Sequence, residues 1–105
     1  MRPAIHPGEI LAEELAALDV TPTQLAREIK VPANRITQII QGRRSITGDT
    51  ALRLGHWFGT NPQFWLNLQS AHDIRVAAQE MGAKLARLPM RSDLQRRSRR
   101  QRKSA

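Results

Sequence analysis

Two short helical patterns separated by a proline constrain this chain more than any other feature of its sequence. Their apolar residues recur at helical spacing, first as Leu25, Ala26 and Ile29, then as Ile36, Ile39 and Ile40. Pro32 disfavours helical geometry at Val31, so the first helix must end near Lys30 and a second can begin at Ala33. The segment 21–42 is therefore predicted to form two short helices joined by a tight turn.

The ends of both helices carry capping signals. Thr21 can accept a backbone N–H, Pro22 suits the first helical position, and Gln24 has the spacing of a capping box. The second helix is predicted to reach about Gln41, with Gly42 as its C-cap. Two short helices with a turn of three to four residues are the components of a helix-turn-helix motif.

The side chains left on the outer surface of this motif are suited to duplex DNA. Short neutral side chains of this kind can hydrogen-bond to base edges, whereas arginines bind phosphate. The predicted DNA-binding residues are Thr23 and Gln24 on the first helix, Ala33, Asn34, Arg35, Thr37, Gln38 and Gln41 on the second, and Arg43 and Arg44 in the following loop.

Three further helices are predicted, which makes the fold all-α with five helices. The first starts at His6 or Pro7, ends near Asp19 and buries Ile10, Leu11, Leu15 and Leu18. The fourth is capped by Thr47 or Asp49, carries Ala51, Leu52, Leu54, Trp57 and Phe58, and stops at Gly59. The fifth starts at Asn61–Pro62 and carries Phe64, Trp65, Leu68 and Ala71, with Ile74 and Val76 further along. Residues 84–88 stay unassigned and could be a short extended piece.

Trp65 has two possible roles. It can fill the core beneath the helix-turn-helix, which is favoured because so small a domain has few other large side chains. Alternatively, it can join a dimer interface composed of Phe64, Trp65, Leu68 and Asp73. A symmetric dimer is expected in either case, since one short helix touches too few bases to specify a site.

The formal charge of +8 over 105 residues is unevenly distributed. Residues 90–105 hold seven basic residues and Asp93, which leaves residues 1–89 close to neutral. We therefore predict a helix-turn-helix DNA-binding domain at 1–89 and a basic, disordered tail at 90–105, which could be a nonspecific nucleic-acid arm or a solvated end. Glu9, Glu13 and Glu14 make the first helix acidic, either as a solvated surface or to meet a basic partner.

Composition argues against several other classes of protein. The absence of cysteine excludes disulfides and thiol chemistry, and no apolar run approaches the length of a membrane span. His6, His56 and His72 are far apart and form no metal-ligand or catalytic spacing. His6 is predicted to be a helix-start residue and His72 an exposed neighbour of Asp73. We expect neither catalysis, nor a metal, nor a cofactor.

Five segments taken together resemble the HigA-type antitoxins of bacterial toxin–antitoxin pairs, a branch of the phage-repressor-like helix-turn-helix proteins. They are HPGEIL (6–11), QLAREI (24–29), VPANRITQIIQGRRSIT (31–47), DTALRL (49–54) and FWLNLQ (64–69). The combination spans about Ile5 to Ala77 and is much more specific than a helix-turn-helix alone. Lys30 departs from the broader repressor pattern, which favours glycine at the turn. The resemblance implies a lambda-repressor-like fold.

The resemblance also implies a function. The leading hypothesis is a dimeric autorepressor that binds a palindromic operator and also neutralises a HigB-like ribonuclease toxin, in the cytoplasm and at the nucleoid of a bacterium. The alternatives are a stand-alone transcription regulator without a toxin, and an RNA-binding protein that uses Arg91 to Lys103 as its main site. The DNA-binding half of the leading hypothesis also follows from the residues, whereas the toxin half rests on the resemblance.

Overall fold

The computed structural model describes residues 5–94 and 96, and over that range the regular structure is entirely helical. Six helices follow one another: α1 (Pro7–Ala17), α2 (Pro22–Glu28), α3 (Ala33–Ile40), α4 (Gly48–Phe58), α5 (Pro62–Met81) and α6 (Ala83–Arg87). The predicted all-α fold is confirmed. The described residues thus contain one helix more than the five predicted, and residues 84–87 of the segment that the sequence left unassigned are helical and not extended. Among the described residues, none of the helices combines the length and the apolar composition that a membrane span requires.

The predicted basic tail lies mostly outside the described residues. Residues 91–94 are helical, whereas residue 95 and residues 97–105 are not described. Both the disorder of the tail and the domain boundary near residue 89 therefore stay predictions.

The helix-turn-helix forms with both helix starts as predicted, α2 at Pro22 and α3 at Ala33. The predicted end of α3 was off by one residue, since Gln41 and not Gly42 is its C-cap. Thr21 caps α2, because its Oγ1 accepts the Gln24 N–H at 3.1 Å. Between the helices Lys30 has a φ of 60°, in the left-handed region that glycine adopts at lowest cost. This backbone angle explains why related patterns favour glycine where this chain has lysine.

The core lies among α1 to α5. It consists of Leu11, Leu15, Leu25, Ala26, Ile29, Val31, Ile36, Ile39, Ile46, Ala51, Leu54 and Trp65. Trp65 is 1% exposed, so the favoured core role is the one observed. The predicted burial of Leu18 was wrong: α1 ends at Ala17, so Leu18 is the C-cap and 54% exposed.

The first turn of α1 packs directly against the last turn of α3. Pro7 and Gly8 are both buried there. A Cβ atom on Gly8 would lie 2.7 Å from the Ile39 carbonyl carbon and 2.9 Å from the Ile40 Cα, and closer still to the Ile39 carbonyl oxygen. Because these are backbone atoms, they cannot rotate away. Only glycine allows α1 and α3 to approach this closely.

His6 fixes the start of α1 and links it to α5. Its Nδ1 accepts the Gly8 N–H at 2.9 Å, which confirms its predicted helix-start role. The His6 and His72 rings pack edge to face with their centroids 4.8 Å apart. His72 Nδ1 donates to the Ile5 carbonyl at 3.2 Å. His72 is therefore half-buried, not the exposed residue that was predicted.

Burial is the main cause that lowers the pKa of His6, and the neighbouring His72 lowers it further. The carboxylates of Asp73 and Glu9 act in the opposite direction without reversing the shift. The lowered pKa of His6 agrees with its role as the cap of α1, because only a neutral imidazole keeps Nδ1 as an acceptor.

We predict that Gly8→Ala destabilises the fold by roughly 1–3 kcal/mol, the usual cost of overpacking a close contact. Chemical denaturation measures this loss. Gly48→Ala is the matched control, because a Cβ on Gly48 meets nothing within 4 Å. Equal stability of the two variants would contradict the close approach of α1 to α3.

We also predict a pH-dependent contribution of His6 to stability. Since folding lowers its pKa from the ordinary value of 6.5, the unfolded state binds the proton more tightly. The contribution is complete above pH 6.5 and is lost as the pH falls through the pKa of the folded state. His6→Asn keeps a capping acceptor that does not titrate, so urea unfolding from pH 8 to 5 should show a smaller loss for this variant.

The control for this measurement is His56→Asn, because His56 is exposed on α4. This variant removes an exposed imidazole and leaves the His6 cap in place, so the pH-dependent loss attributed to His6 should persist in it. A His6→Asn profile that matches the unmodified protein would exclude His6 as the source of the pH dependence.

Candidate nucleic-acid interface

Helix α3 has one buried and one accessible face. Ile36 and Ile39 lie on the buried face and are fully buried in the core. The predicted base-reading side chains lie on the accessible face: Ala33, Asn34, Thr37 and Gln41 are exposed, and Gln38 is half-buried. The structure therefore brings these predicted residues together on one surface.

The loop after α3 adds two arginines that contact this surface. Arg44 Nε donates to Gln38 Oε1 at 2.9 Å, and Arg43 Nε donates to Gln41 Oε1 at 3.0 Å. Each arginine thus lies beside an amide of α3. Base-edge hydrogen-bonding groups and cationic groups form one continuous surface, which suits the edge and the backbone of a duplex.

The start of α2 differs in detail from the prediction. Thr23 and Gln24 are exposed as expected. However, Gln24 Nε2 donates to Glu28 Oε2 at 3.0 Å, so the capping box is formed only in the direction from Gln24 N–H to Thr21. Glu28 also accepts the Trp57 indole N–H at 3.1 Å, which ties α2 to α4.

Arg35, which was predicted on the same helix to bind phosphate, is half-buried and contacts α4. Its Nη1 donates to Asp49 Oδ2 at 3.3 Å. Asp49 also accepts from Arg53 Nε at 3.0 Å, and Arg53 Nη1 donates to the Ile29 carbonyl at 2.7 Å, at the end of α2. This chain of contacts borders an open cleft of about 460 Å³ between the turn, α3 and α4. Its charged lining residues are Lys30, Arg35, Arg44, Arg53 and Asp49.

Gln69 is a site residue that the sequence analysis missed. It is 5% exposed, and its Oε1 accepts the N–H of buried Ile46 at 2.8 Å. Its Nε2 donates to Asp73 Oδ1 at 2.8 Å and to Ser45 Oγ at 3.4 Å. Gln69 therefore holds the loop that carries Arg43 and Arg44. Its position four residues after Trp65 on a buried helix face was the available signal.

The proposed dimer residues on α5 fall into two groups. Phe64 is 45% exposed, Leu68 is half-buried and Asp73 is exposed, so all three are accessible. Trp65 lies in the core and offers no surface to a second copy. Next to Leu68, an apolar groove of about 700 Å³ runs between α1 and α5, and Ile10 and Ile74 also line it.

The described residues contain no group of three histidine or acidic side chains that could hold a metal ion. His6 and His72 act in helix capping and packing.

Comparisons with known proteins agree with this arrangement. The helix-turn-helix family model matches residues 11–65, which is more than half of the chain. Virulence-associated protein I of Dichelobacter nodosus is 44% identical over 92 residues, which cover 87% of this chain and 85% of that protein.

Two solved structures extend the similarity to three dimensions. An addiction module antidote protein of the HigA family from Coxiella burnetii has a TM-score of 0.82 and 53% identity, over 85% of this chain and 98% of that one. Pseudomonas aeruginosa antitoxin HigA, solved with the higBA promoter, has a TM-score of 0.80 and 40% identity, over 84% and 97%. The chain belongs to the helix-turn-helix family. Within that family, its resemblance to the HigA-type antitoxins is confirmed.

We predict that Gln69→Leu destabilises the protein by about 1–3 kcal/mol, because it leaves the buried Ile46 N–H without its acceptor. Hydrogen exchange at the Ile46 amide should accelerate in parallel. Gln63→Leu, on the exposed side of the same helix, is the control and should change stability by no more than about 0.5 kcal/mol. Unchanged protection of the Ile46 amide in Gln69→Leu would show that Gln69 does not hold the loop.

Proposed function

We propose that this protein is a sequence-specific DNA-binding antitoxin of a bacterial type II toxin–antitoxin module. It acts as a dimeric autorepressor in the cytoplasm and neutralises a HigB-like ribonuclease toxin. The observation that carries the DNA-binding part is the accessible face of α3, where hydrogen-bonding side chains stand beside the arginines of the next loop. The promoter complex of the Pseudomonas aeruginosa HigA relative supports the same function.

In this proposal α3 lies in the major groove. Thr37 and Gln38 read base edges, because a glutamine amide can make paired hydrogen bonds to adenine. Arg43 and Arg44 hold the sugar-phosphate backbone, which fixes the position of α3 and carries no sequence information. The contact of Arg44 with Gln38 supports this division, since it fixes a backbone-binding group relative to a reading group.

The dimer of the proposal uses α5. Phe64, Leu68 and Asp73 are accessible on this helix, and Phe64 is a large apolar side chain with 45% exposure. Two copies related by a twofold axis would present their α3 helices to two half-sites of a palindromic operator.

The toxin part of the proposal is supported by the similarity to antitoxins of the HigA family. On the chain itself, Glu9, Glu13 and Glu14 are exposed on α1 and could complement a basic partner. A gene for a small, basic protein beside the gene for this one would favour this proposal over a stand-alone regulator.

The RNA-binding alternative predicts a different result. If Arg91 to Lys103 were the main site, removal of residues 91–105 would abolish binding, and duplex sequence would not matter.

We predict that Gln38→Ala weakens binding to the preferred duplex by about 1–3 kcal/mol and relaxes the preference at one base pair. Binding-site selection on the unmodified protein and the variant measures both effects. Arg43→Gln is the informative control, because the Arg43 guanidinium is proposed to hold the backbone and contacts Gln41 rather than the Gln38 side chain, so this variant should weaken all duplexes alike. An unchanged motif from the Gln38→Ala protein would remove Gln38 from the set of reading residues.

We further predict a twofold dimer whose α3 helices lie about 34–36 Å apart on two half-sites. Sedimentation at micromolar concentration, with and without the selected duplex, measures the stoichiometry. Phe64→Glu should shift the population toward monomer, because it places a charge in the apolar contact, whereas Gln63→Glu on the same helix should not. A strict monomer bound one per duplex is incompatible with this prediction.

A further inference from the structure

Asp49 places a carboxylate between two arginines at the open cleft between the turn, α3 and α4. Its Oδ2 accepts from Arg35 Nη1 at 3.3 Å and from Arg53 Nε at 3.0 Å. The side chain is 57% exposed, so an incoming ligand can reach the same guanidinium groups. Asp49 also lies in the first turn of α4, where the helix dipole favours an anion. The free protein thus already supplies one negative charge here.

The two arginines are held differently. Arg53 also donates to the Ile29 carbonyl at 2.7 Å, so a backbone group at the end of α2 fixes its position. Arg35 comes from α3 and contacts Asp49 at the longer distance of 3.3 Å. A new anion can therefore displace Asp49 from the Arg35 guanidinium more easily than from the Arg53 guanidinium.

The cleft as a whole retains a surplus of positive charge. Lys30, Arg35, Arg44 and Arg53 line it, and Asp49 is the acidic residue among its lining. Arg44 at one side also contacts Gln38 of the reading face. A ligand in this cleft would therefore lie beside α3, where the sugar-phosphate backbone runs when α3 occupies a groove. The chemistry of the lining fits a phosphodiester group.

We propose that the cleft binds one phosphodiester group of the DNA backbone and that Asp49 competes with this phosphate for Arg35. This inference rests on the proposed DNA-binding function. Asp49 acts as an internal competitor that weakens binding to every duplex by a similar factor, because a backbone contact carries no sequence information. Its effect lies in the overall affinity of the protein for DNA and leaves the preferred sequence unchanged.

The test is the affinity of Asp49→Asn for the selected duplex and for a scrambled duplex, at several salt concentrations. The variant should bind both duplexes more tightly by roughly two- to fivefold, the size expected for an exposed charge pair. Glu80→Gln makes the same change in net charge on α5, outside the cleft, and is the control. The increase should be smaller when Arg35→Gln is already present, since the competition acts through Arg35.

Several outcomes would overturn the inference. Weaker binding by Asp49→Asn would mean that Asp49 holds Arg35 in position for DNA. An increase equal to that of Glu80→Gln would reduce the effect to net charge, and an increase restricted to the selected duplex would indicate base reading. Thermal unfolding of both variants confirms that folded proteins are compared. Failure of the unmodified protein to prefer the selected duplex would instead overturn the proposed function.

Discussion

The position of α3 depends on a backbone-to-backbone contact with α1. Gly8 lies where any Cβ would overlap the carbonyl group of Ile39. Pro7 and His6 prepare this contact, since one starts the helix without an unpaired N–H and the other caps it through Nδ1. The HPG sequence at the start of α1 thus has a structural explanation. It allows the close approach of α1 to a helix that begins more than twenty residues later in the chain.

Polar contacts hold the segments on either side of α3. Arg53 donates to the carbonyl of Ile29 just before the turn, and Gln69 accepts the N–H of Ile46 in the loop after α3. Arg53 and Gln69 belong to α4 and α5, so the surface proposed to read DNA is held by helices that contribute no side chain to that face of α3. This arrangement is suited to a site that must keep several side chains in register with a duplex.

Local chemistry determined which parts of this structure could be predicted. Pro32 and the caps at Thr21, Asn61 and Gly59 act within a few residues, and each ends or starts a helix where expected. The exposure of Leu18, Leu52 and Ile74 depends instead on which neighbours a helix meets, and their apolar character gave no warning.

The site shows the same division. The face of α3 could be predicted because helical spacing puts Thr37, Gln38 and Gln41 on one side of the buried isoleucines. The roles of Gln69 and Asp49 could not, because their partners lie up to 24 residues away in sequence. Spacing alone does not indicate which distant backbone or guanidinium group a polar side chain will meet.

Lys30 illustrates an exchange between conformational stability and charge. Its φ of 60° costs a residue with a side chain about 1 kcal/mol relative to glycine. In return, a fourth cationic side chain lines the cleft beside α3. Glycine would make this turn at lower conformational cost but would leave its solvent side neutral. The choice of residue at one turn thus gives up some folding free energy for a stronger electrostatic field at the surface proposed to meet a polyanion.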